Sequence, residues 1–347
     1  LRKLEEVLYL PLTLKDIAEM IGVAESTVSR AINGKPGVGE KTRNEILKIA
    51  KKYNFKPNKL AQGLAKQETH ILALLLPKVS KGNFSTIIEN IERVTEKHGY
   101  QIILCNTNND LEKEKSYLDL LEEKRVDGAI ILGGELADQH IVNTKLRGND
   151  NIVLVNRLCE EVLIPTILID SSYGSYLATK HLIDKGYKNI ALVTGNEDDY
   201  IESEKIKGYK NALKENEIEL DKRLILKTAG SRQDGYDAFF ELVGLDNPPD
   251  SFFVTEDLLA VGLVESIKMG GYFIPQDYAV ITYGDTIINS IVDPELTRVV
   301  EPLGKAGELA AEVLINLIND SDTKEEIEVL QPTLKKCEST RINKGRN

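Results

Sequence analysis

Leu14, Ile17, Ala18 and Ile21 fall at i, i+3, i+4 and i+7, the spacing that lines one face of a helix. Thr13 and Asp16 stand at its start as a capping pair, a hydroxyl and a carboxylate able to take up orphan backbone amides. Gly22 breaks the pattern. A second short helix is expected from about Ala24 to Ile32, with Val28 and Ile32 turned inward, ended by Asn33-Gly34 and the Pro36-Gly37 loop. A third amphipathic helix carries Ile46, Ile49, Ala50 and Tyr53. Two short helices about a glycine turn, closed by a third, make the helix-turn-helix plan.

From residue 70 the pattern changes. "ILALLLP", "QIILCNT", "GAIILG" and "NIVLVN" are short continuous apolar runs, as parallel strands covered on both faces require. "SYLATKHLIDKGYKN" predicts a helix ending at Gly186, and "NIALVTG", "RLILKTA", "SFFVTED" and "YAVITYG" repeat the strand pattern. Two sets of βα units imply an α/β core of two doubly wound parallel-sheet lobes. A ligand cleft is then expected between the lobes, at the carboxyl ends of the strands.

Charge sharpens the division. The 347 residues carry a net charge of −11, but residues 13–68 hold +5 and residues 69–347 hold −16. A small basic head on an acidic body suggests a head that meets phosphate. Asn-Gly-terminated and short, the second helix leaves Glu25, Ser26, Ser29 and Arg30 facing out. Such side chains can bond base edges in a major groove, Arg gripping guanine O6 and N7 with two bonds. A three-helix protein-binding module is the competing reading. The segment "PNKLAQGLAK", residues 57–66, is too short and too interrupted by Gly63 to hold a helix alone.

Other chemistry is sparse. There is no GxxxxGK[ST], GxSxG or HExxH, and His70, His98, His140 and His181 have no nucleophile at a recognisable spacing. They read as surface or helix-end histidines, and an enzyme is not expected. Cys105, Cys159 and Cys337 lie far apart, so reduced structural thiols are expected and neither a metal site nor a cofactor. No 18-residue apolar run occurs, and the leading "LRKLEEVLYLPL" lacks the features of a secretion signal, so the expected compartment is the cytoplasm.

"LTLKDIAEMIGVAESTVSRAINGKPGVGEKTRNEIL…KPNKLAQGLA" resembles the DNA-binding head of the LacI/GalR family of bacterial transcriptional regulators, and the resemblance runs on to "CESTR". It implies an N-terminal all-α helix-turn-helix head with a hinge helix, joined to a periplasmic-binding-protein-like core. A solute receptor of the periplasm is disfavoured by the head. The implied divisions are an extension at 1–12, the head at 13–57, the hinge at 58–68 and the core at 69–341. Within the core, one lobe would take about 69–169 plus 286–300 and the other about 170–285 plus 301–341. By match to the family motif, Glu25, Ser26 and Arg30 would read bases, and Thr13, Thr27 and Asn33 would hold the DNA backbone. Leu64 would wedge between bases in the minor groove, with Ala61 letting two hinge helices touch. The family works as homodimers on pseudo-palindromic operators, mostly as repressors under an allosteric effector. Only "INKGRN" follows "CESTR", so no leucine heptad tail for tetramers is expected. Ala24 and Gly39 stand where the family commonly has capping Ser.

The same resemblance places effector contacts at Asn83, Phe84, Asn156, Arg157, Lys205, Glu256, Asp257 and Asp285, with departures. Lys205 stands where a forked Arg is common, Gly284 where an acceptor is common, and Gly230 where an aromatic face is common. Three readings stay open. The ligand is another small molecule, for example an anionic one met by Lys205 or Arg157; or the cleft is vestigial and a protein partner controls the chain; or the register is off by one and Asp285 is the anchor. "EKIKGYKNAL" is similar to catabolite control protein A-like members, which answer to seryl-phosphorylated HPr, but here the acidic Asp293 precedes "PELT".

Overall fold

The computed structural model describes residues 12–53, 55, 68–78, 84–133, 138–195, 200–319 and 326–341. The chain divides into two compact units, residues 1–69 and residues 70–347.

In the first unit, α1 (Leu14–Ile21), α2 (Glu25–Ile32) and α3 (Glu40–Lys52) enclose a small core of Ile17, Ala18, Val28, Ala31 and Ile46. The capping pair forms as the sequence predicts: Asp16 N donates to Thr13 Oγ1 at 3.2 Å, and Thr13 N donates to Asp16 Oδ2 at 2.7 Å. Gly22 ends α1 at φ 74°, the left-handed conformation that lets the chain turn within one residue. Two inward positions shift. Ala31 is buried on α2 while Ile32 is only partly covered, and Tyr53 is exposed at the end of α3, with Phe55 packing on the core in its stead. Tyr53 sits past the last helical turn, where the chain leaves the helical phase.

The second unit holds two six-stranded sheets. β1 (Ile71–Leu76), β2 (Gln101–Asn106), β3 (Gly128–Leu132), β4 (Ile152–Val155), β5 (Thr166–Ile169) and β11 (Ile327–Leu330) form the first, in the order β11-β5-β4-β3-β1-β2. All its pairings are parallel. The second contains β6 (Ile190–Thr194), β7 (Ile225–Lys227), β8 (Ser251–Val254), β9 (Ala279–Tyr283), β10 (Thr297–Val300) and β12 (Thr333–Lys335), ordered β12-β10-β9-β8-β6-β7. Only its β10–β12 pairing is antiparallel. Helices cover both faces of each sheet. On the first sheet, α4 (Phe84–Lys97) and α12 (Leu303–Ile318) pack on one side, and α5 (Leu111–Glu122) and α6 (Gln139–Leu146) on the other. On the second, α9 (Arg232–Val243) and α10 (Asp257–Met269) face α7 (Ser171–Asp184) and α8 (Tyr200–Glu215) across the strands. A last short helix, α11 (Ile288–Ile291), follows β9.

The lobe boundaries differ from the sequence expectation. Residues 297–300 belong to the second sheet, because β10 pairs with β9. Helix α12 and strand β11 belong to the first, although 301–341 was expected in the second. The chain therefore crosses between lobes three times, near residues 170, 301 and 331. The apolar stripe Ala306, Ala310, Ala311 and Leu314 fits against α4, and that packing rather than chain order fixes α12 in the first lobe. Strand β2 also departs from burial on both faces: it is an edge strand, with Ile103 and Leu104 exposed.

Candidate nucleic-acid interface and interlobe site

Helix α2 has a locked side and an open side. Val28 and Ala31 are buried, while Glu25, Ser26 and Arg30 are exposed and Thr27 and Ser29 are half-covered. Its N-cap, Ala24, gives no side-chain bond, and neither does Gly39 before α3. Its C-terminal end is better held: Asn33 Nδ2 donates to Ser29 O at 2.9 Å, and Arg43 from α3 donates to Ala31 O at 3.1 Å and Lys35 O at 2.5 Å. Arg43 thus ties the third helix to a last-turn carbonyl of the second and to the loop that follows it. Sequence reasoning passed over it, since an Arg on an amphipathic helix looks like any solvated charge. Thr13 and Asn33 both spend their polar groups on caps: the Thr13 hydroxyl also donates to Asp16 Oδ2 at 2.7 Å.

In the core, the candidate residues gather at the carboxyl ends of strands, but not with free charges. Arg157 follows β4 and is 4% exposed. Its guanidinium donates to Glu114 Oε2 at 2.8 Å and to Asp138 Oδ1 at 3.0 Å, so it binds α5 and the start of α6 to the strand end. Asn156 beside it takes a left-handed φ of 52° and accepts from Ile169 N at 2.8 Å. Phe84, first in α4, packs on the apolar core of its lobe.

Lys205 lies on α8 and is buried. Its ammonium donates to Glu202 Oε1 at 2.6 Å and to Thr255 O at 3.1 Å, and rests 4.4 Å from the centre of the Tyr283 ring. The hydroxyls of Thr194 and Thr255 donate to the other oxygen of Glu202, each at 2.6 Å. Burial opposes both charges, yet Lys205 and these donors together hold the Glu202 carboxyl below its ordinary value, and Glu202 holds Lys205 above its own.

Glu256 and Asp257 open α10 and fill the spaces beside two glycines. A Cβ on Gly230 would lie 2.7 Å from Glu256 Oε2, and one on Gly284 would lie 2.9 Å from Asp257 Oδ1. The missing aromatic and acceptor are thus replaced by carboxylates reaching in from α10. Asp257 also accepts from Asn289 Nδ2 at 2.7 Å. Glu301, on the second crossing between lobes, joins the group, and its carboxyl is raised by burial and by Asp257 and Glu202 against the pull of Lys205. Asp285 points elsewhere: Arg298 Nε donates to it at 2.5 Å. A cavity of about 170 Å³ opens where the lobes meet, with Asn156, Asp170, Tyr200 and Glu204 in its wall.

Two family models span most of the chain: residues 13–58 match bacterial regulatory proteins of the lacI family, and residues 69–340 match the periplasmic binding proteins and sugar binding domain of the LacI family. The chain belongs to the LacI family. A LacI-family chain of this kind is a sequence-specific DNA-binding transcriptional regulator and not an enzyme. It is 32% identical to the HTH-type transcriptional regulator RegA of Clostridium saccharobutylicum, covering 94% of this chain and 99% of that one. It is 30% identical to catabolite control protein A of Priestia megaterium, over 95% and 99%. Among solved structures it is similar to the regulator CcpA of Lactococcus lactis, with 30% identity, a TM-score of 0.70, and 78% and 99% of the two chains covered.

Within this LacI-family frame, the structure brings Lys205, Glu256 and Asp257 together and sets Arg157 and Asp285 in ion pairs of their own. Each of the two cations that the sequence offers to an anionic ligand already faces a carboxylate, Arg157 that of Glu114 and Lys205 that of Glu202. Asp285, the anchor under the shifted register, is likewise engaged, by Arg298. Glu202 and Glu301 went unread in the sequence: Glu202 is one turn before Lys205 on α8, and nothing in "ESEKIKGY" marks that face of the helix as inward. His181 sits in the last turn of α7, a helix end as the sequence reading allows, though not at the surface. It is buried, Nε2 lies 2.9 Å from Thr340 Oγ1, and burial with Lys336 and Lys185 nearby pushes its imidazole down to about 4. Ala61, Leu64 and Asn83 lie outside the described residues. No helix among the described residues is long and apolar enough to cross a membrane.

Proposed function

We propose that this regulator is a repressor that binds a pseudo-palindromic operator as a homodimer and is controlled by a small molecule held between its lobes. The open side of α2 carries the reading. Glu25, Ser26 and Arg30 stand exposed on a helix whose other side is fixed by Val28 and Ala31, so they can be presented rigidly to base edges. Arg30 suits guanine O6 and N7, and Glu25 suits the amino group of cytosine. Thr27 remains available to phosphate. Thr13 and Asn33, spent on caps, act by setting the ends of α1 and α2 rather than by gripping the backbone themselves.

Ala61 and Leu64 belong to the same proposal as the minor-groove contacts of a hinge. Dimer formation is supported by apolar side chains left open on the core: Ile103 and Leu104 on β2, and Ile287 and Ile291 about α11. The acidic Asp293, its side chain 91% exposed, would repel a phosphoprotein, which favours small-molecule control over HPr.

Selection of duplexes from a random pool, followed by anisotropy titration at several salt concentrations, tests the reading. A regulator of this kind prefers its selected site over random duplex by about a thousandfold or more, with affinity falling steeply as salt rises. Arg30→Ala removes the preference while leaving the fold intact. Equal affinity for selected and random DNA would sink the proposal.

A further inference from the structure

We infer that Arg43 is a positioning residue for base recognition: from α3 it fixes the loop against which the Arg30 guanidinium lies, and so sharpens the preference of Arg30 for its base pair. The inference rests on reading Arg30 as a base contact. Arg30 is exposed on α2, and its guanidinium makes no hydrogen bond or ion pair with any described residue. A long side chain so placed gives up rotamer freedom when it grips a base. The more its range is limited beforehand, the smaller that loss.

The loop after α2 supplies that limit. Lys35 N donates to Arg30 O at 2.9 Å, and the chain then returns past the side chain: a Cβ on Gly37 would lie 3.7 Å from Arg30 Nη1. Two residues of the loop, Gly34 and Gly37, stand at φ 68° and 93° and by themselves restrict the backbone little. Arg43 holds it from outside. Its Nη1 donates to Ala31 O and its Nη2 to Lys35 O, one carbonyl on each side of Asn33-Gly34. Arg43 is itself half-buried, and Ile46, three residues on along α3, is fully buried in the core of the head. The guanidinium fork thus carries the rigidity of the core to the loop, and the loop passes it to Arg30. A planar fork can hold two carbonyls in fixed directions, whereas a lysine ammonium is a point charge on a flexible stem. Both terminal nitrogens of Arg43 face carbonyls of its own chain, so we assign it no phosphate.

Anisotropy titration of the full chain against its selected duplex, and against duplexes with single base pairs replaced, tests this. Arg30→Ala marks the pair that Arg30 reads, because replacing that pair then costs no affinity. In the parent chain the same replacement weakens binding about tenfold or more. Arg43→Lys brings the penalty at that pair down to about threefold or less and leaves the penalties at other pairs as they were. Arg30→Ala combined with Arg43→Lys discriminates no worse than Arg30→Ala alone, the coupling expected of two residues that act through one contact. Arg43→Gln leaves the salt dependence unchanged, whereas loss of a phosphate contact would reduce its slope by about one. An undiminished penalty at the Arg30 pair in Arg43→Lys, an equal fall in penalty at every pair, or a reduced salt slope in Arg43→Gln overturns the inference. So does a head that melts in Arg43→Lys, seen as lost helical circular dichroism with lost binding to every duplex, because Arg43 then serves stability alone. If Arg30→Ala alters the penalty at no pair, the base-contact reading itself fails, and the inference with it.

Discussion

Asp257 occupies the room that a side chain at Gly284 would need: a Cβ there would lie 2.9 Å from Asp257 Oδ1 and 3.1 Å from Oδ2. Gly284 also holds φ at 125°, outside the range that L side chains adopt comfortably. Gly284→Ala therefore strains the backbone and displaces a buried carboxylate that Asn289 holds. A loss of about 2–3 kcal/mol in urea unfolding is expected. A cost within 0.5 kcal/mol of zero would mean that Asp257 is free to move and does not define the site.

Lys205→Met fills a similar volume but leaves Glu202 without its countercharge. Both side chains are under a tenth exposed, so the expected loss is about 3–5 kcal/mol at neutral pH. Because the Glu202 carboxyl is depressed in the fold, the native pair contributes stability above the ordinary value of 4.5 and loses it as pH falls below that. The difference between wild type and variant should therefore shrink in acid. Urea midpoints from pH 7 down to pH 4 measure it, and a constant difference would contradict the pairing.

His181 adds a second pH dependence. Its imidazole titrates at about 4 in the fold against 6.5 for the ordinary group, so the unfolded chain takes up the proton first. Stability falls as pH drops from 6.5 toward 4, by up to about 3 kcal/mol. His181→Gln keeps a partner for Thr340 and should flatten that part of the profile. An unchanged slope would place the loss elsewhere.

Ala24 precedes α2 in an extended conformation, at φ −71° and ψ 148°, with no side-chain cap. Ala24→Ser supplies the missing acceptor and should stabilise α2 by about 1 kcal/mol. Slower amide hydrogen exchange in the first turn of α2 is the readout. Unaltered exchange there would show that the helix start is already fixed by packing on α1 and α3.

Much of this was legible in local pattern. The spacing of Leu14, Ile17, Ala18 and Ile21, the Thr13–Asp16 pair and the turn at Gly22 specify the head because each acts within a few residues of chain. The central strands β1, β3, β4, β6, β8 and β9 announce themselves as apolar runs because both their faces are covered. The strands β5, β10, β11 and β12 did not, being three or four residues long and each broken or led by a polar residue, as in TILI, TRVV, IEVL and TLK. The lobe of β11 is set by its pairing with β5, Ile327 against Thr166, more than a hundred residues away, and β12 is set by its antiparallel pairing with β10.

At the site, sequence alone determined the polar roster: Lys205, Arg157, Glu256, Asp257 and the two glycines that depart from the family pattern. Which of them already have partners was decided only by the tertiary structure. Glu114 and Asp138 take Arg157 and Asp285 takes Arg298, pairs that join different elements, while Glu202 meets Lys205 on a helix face that only packing turns inward. A residue's charge is a property of its side chain, but the balance of charge in a cleft is set by partners that only folding brings within a few ångströms.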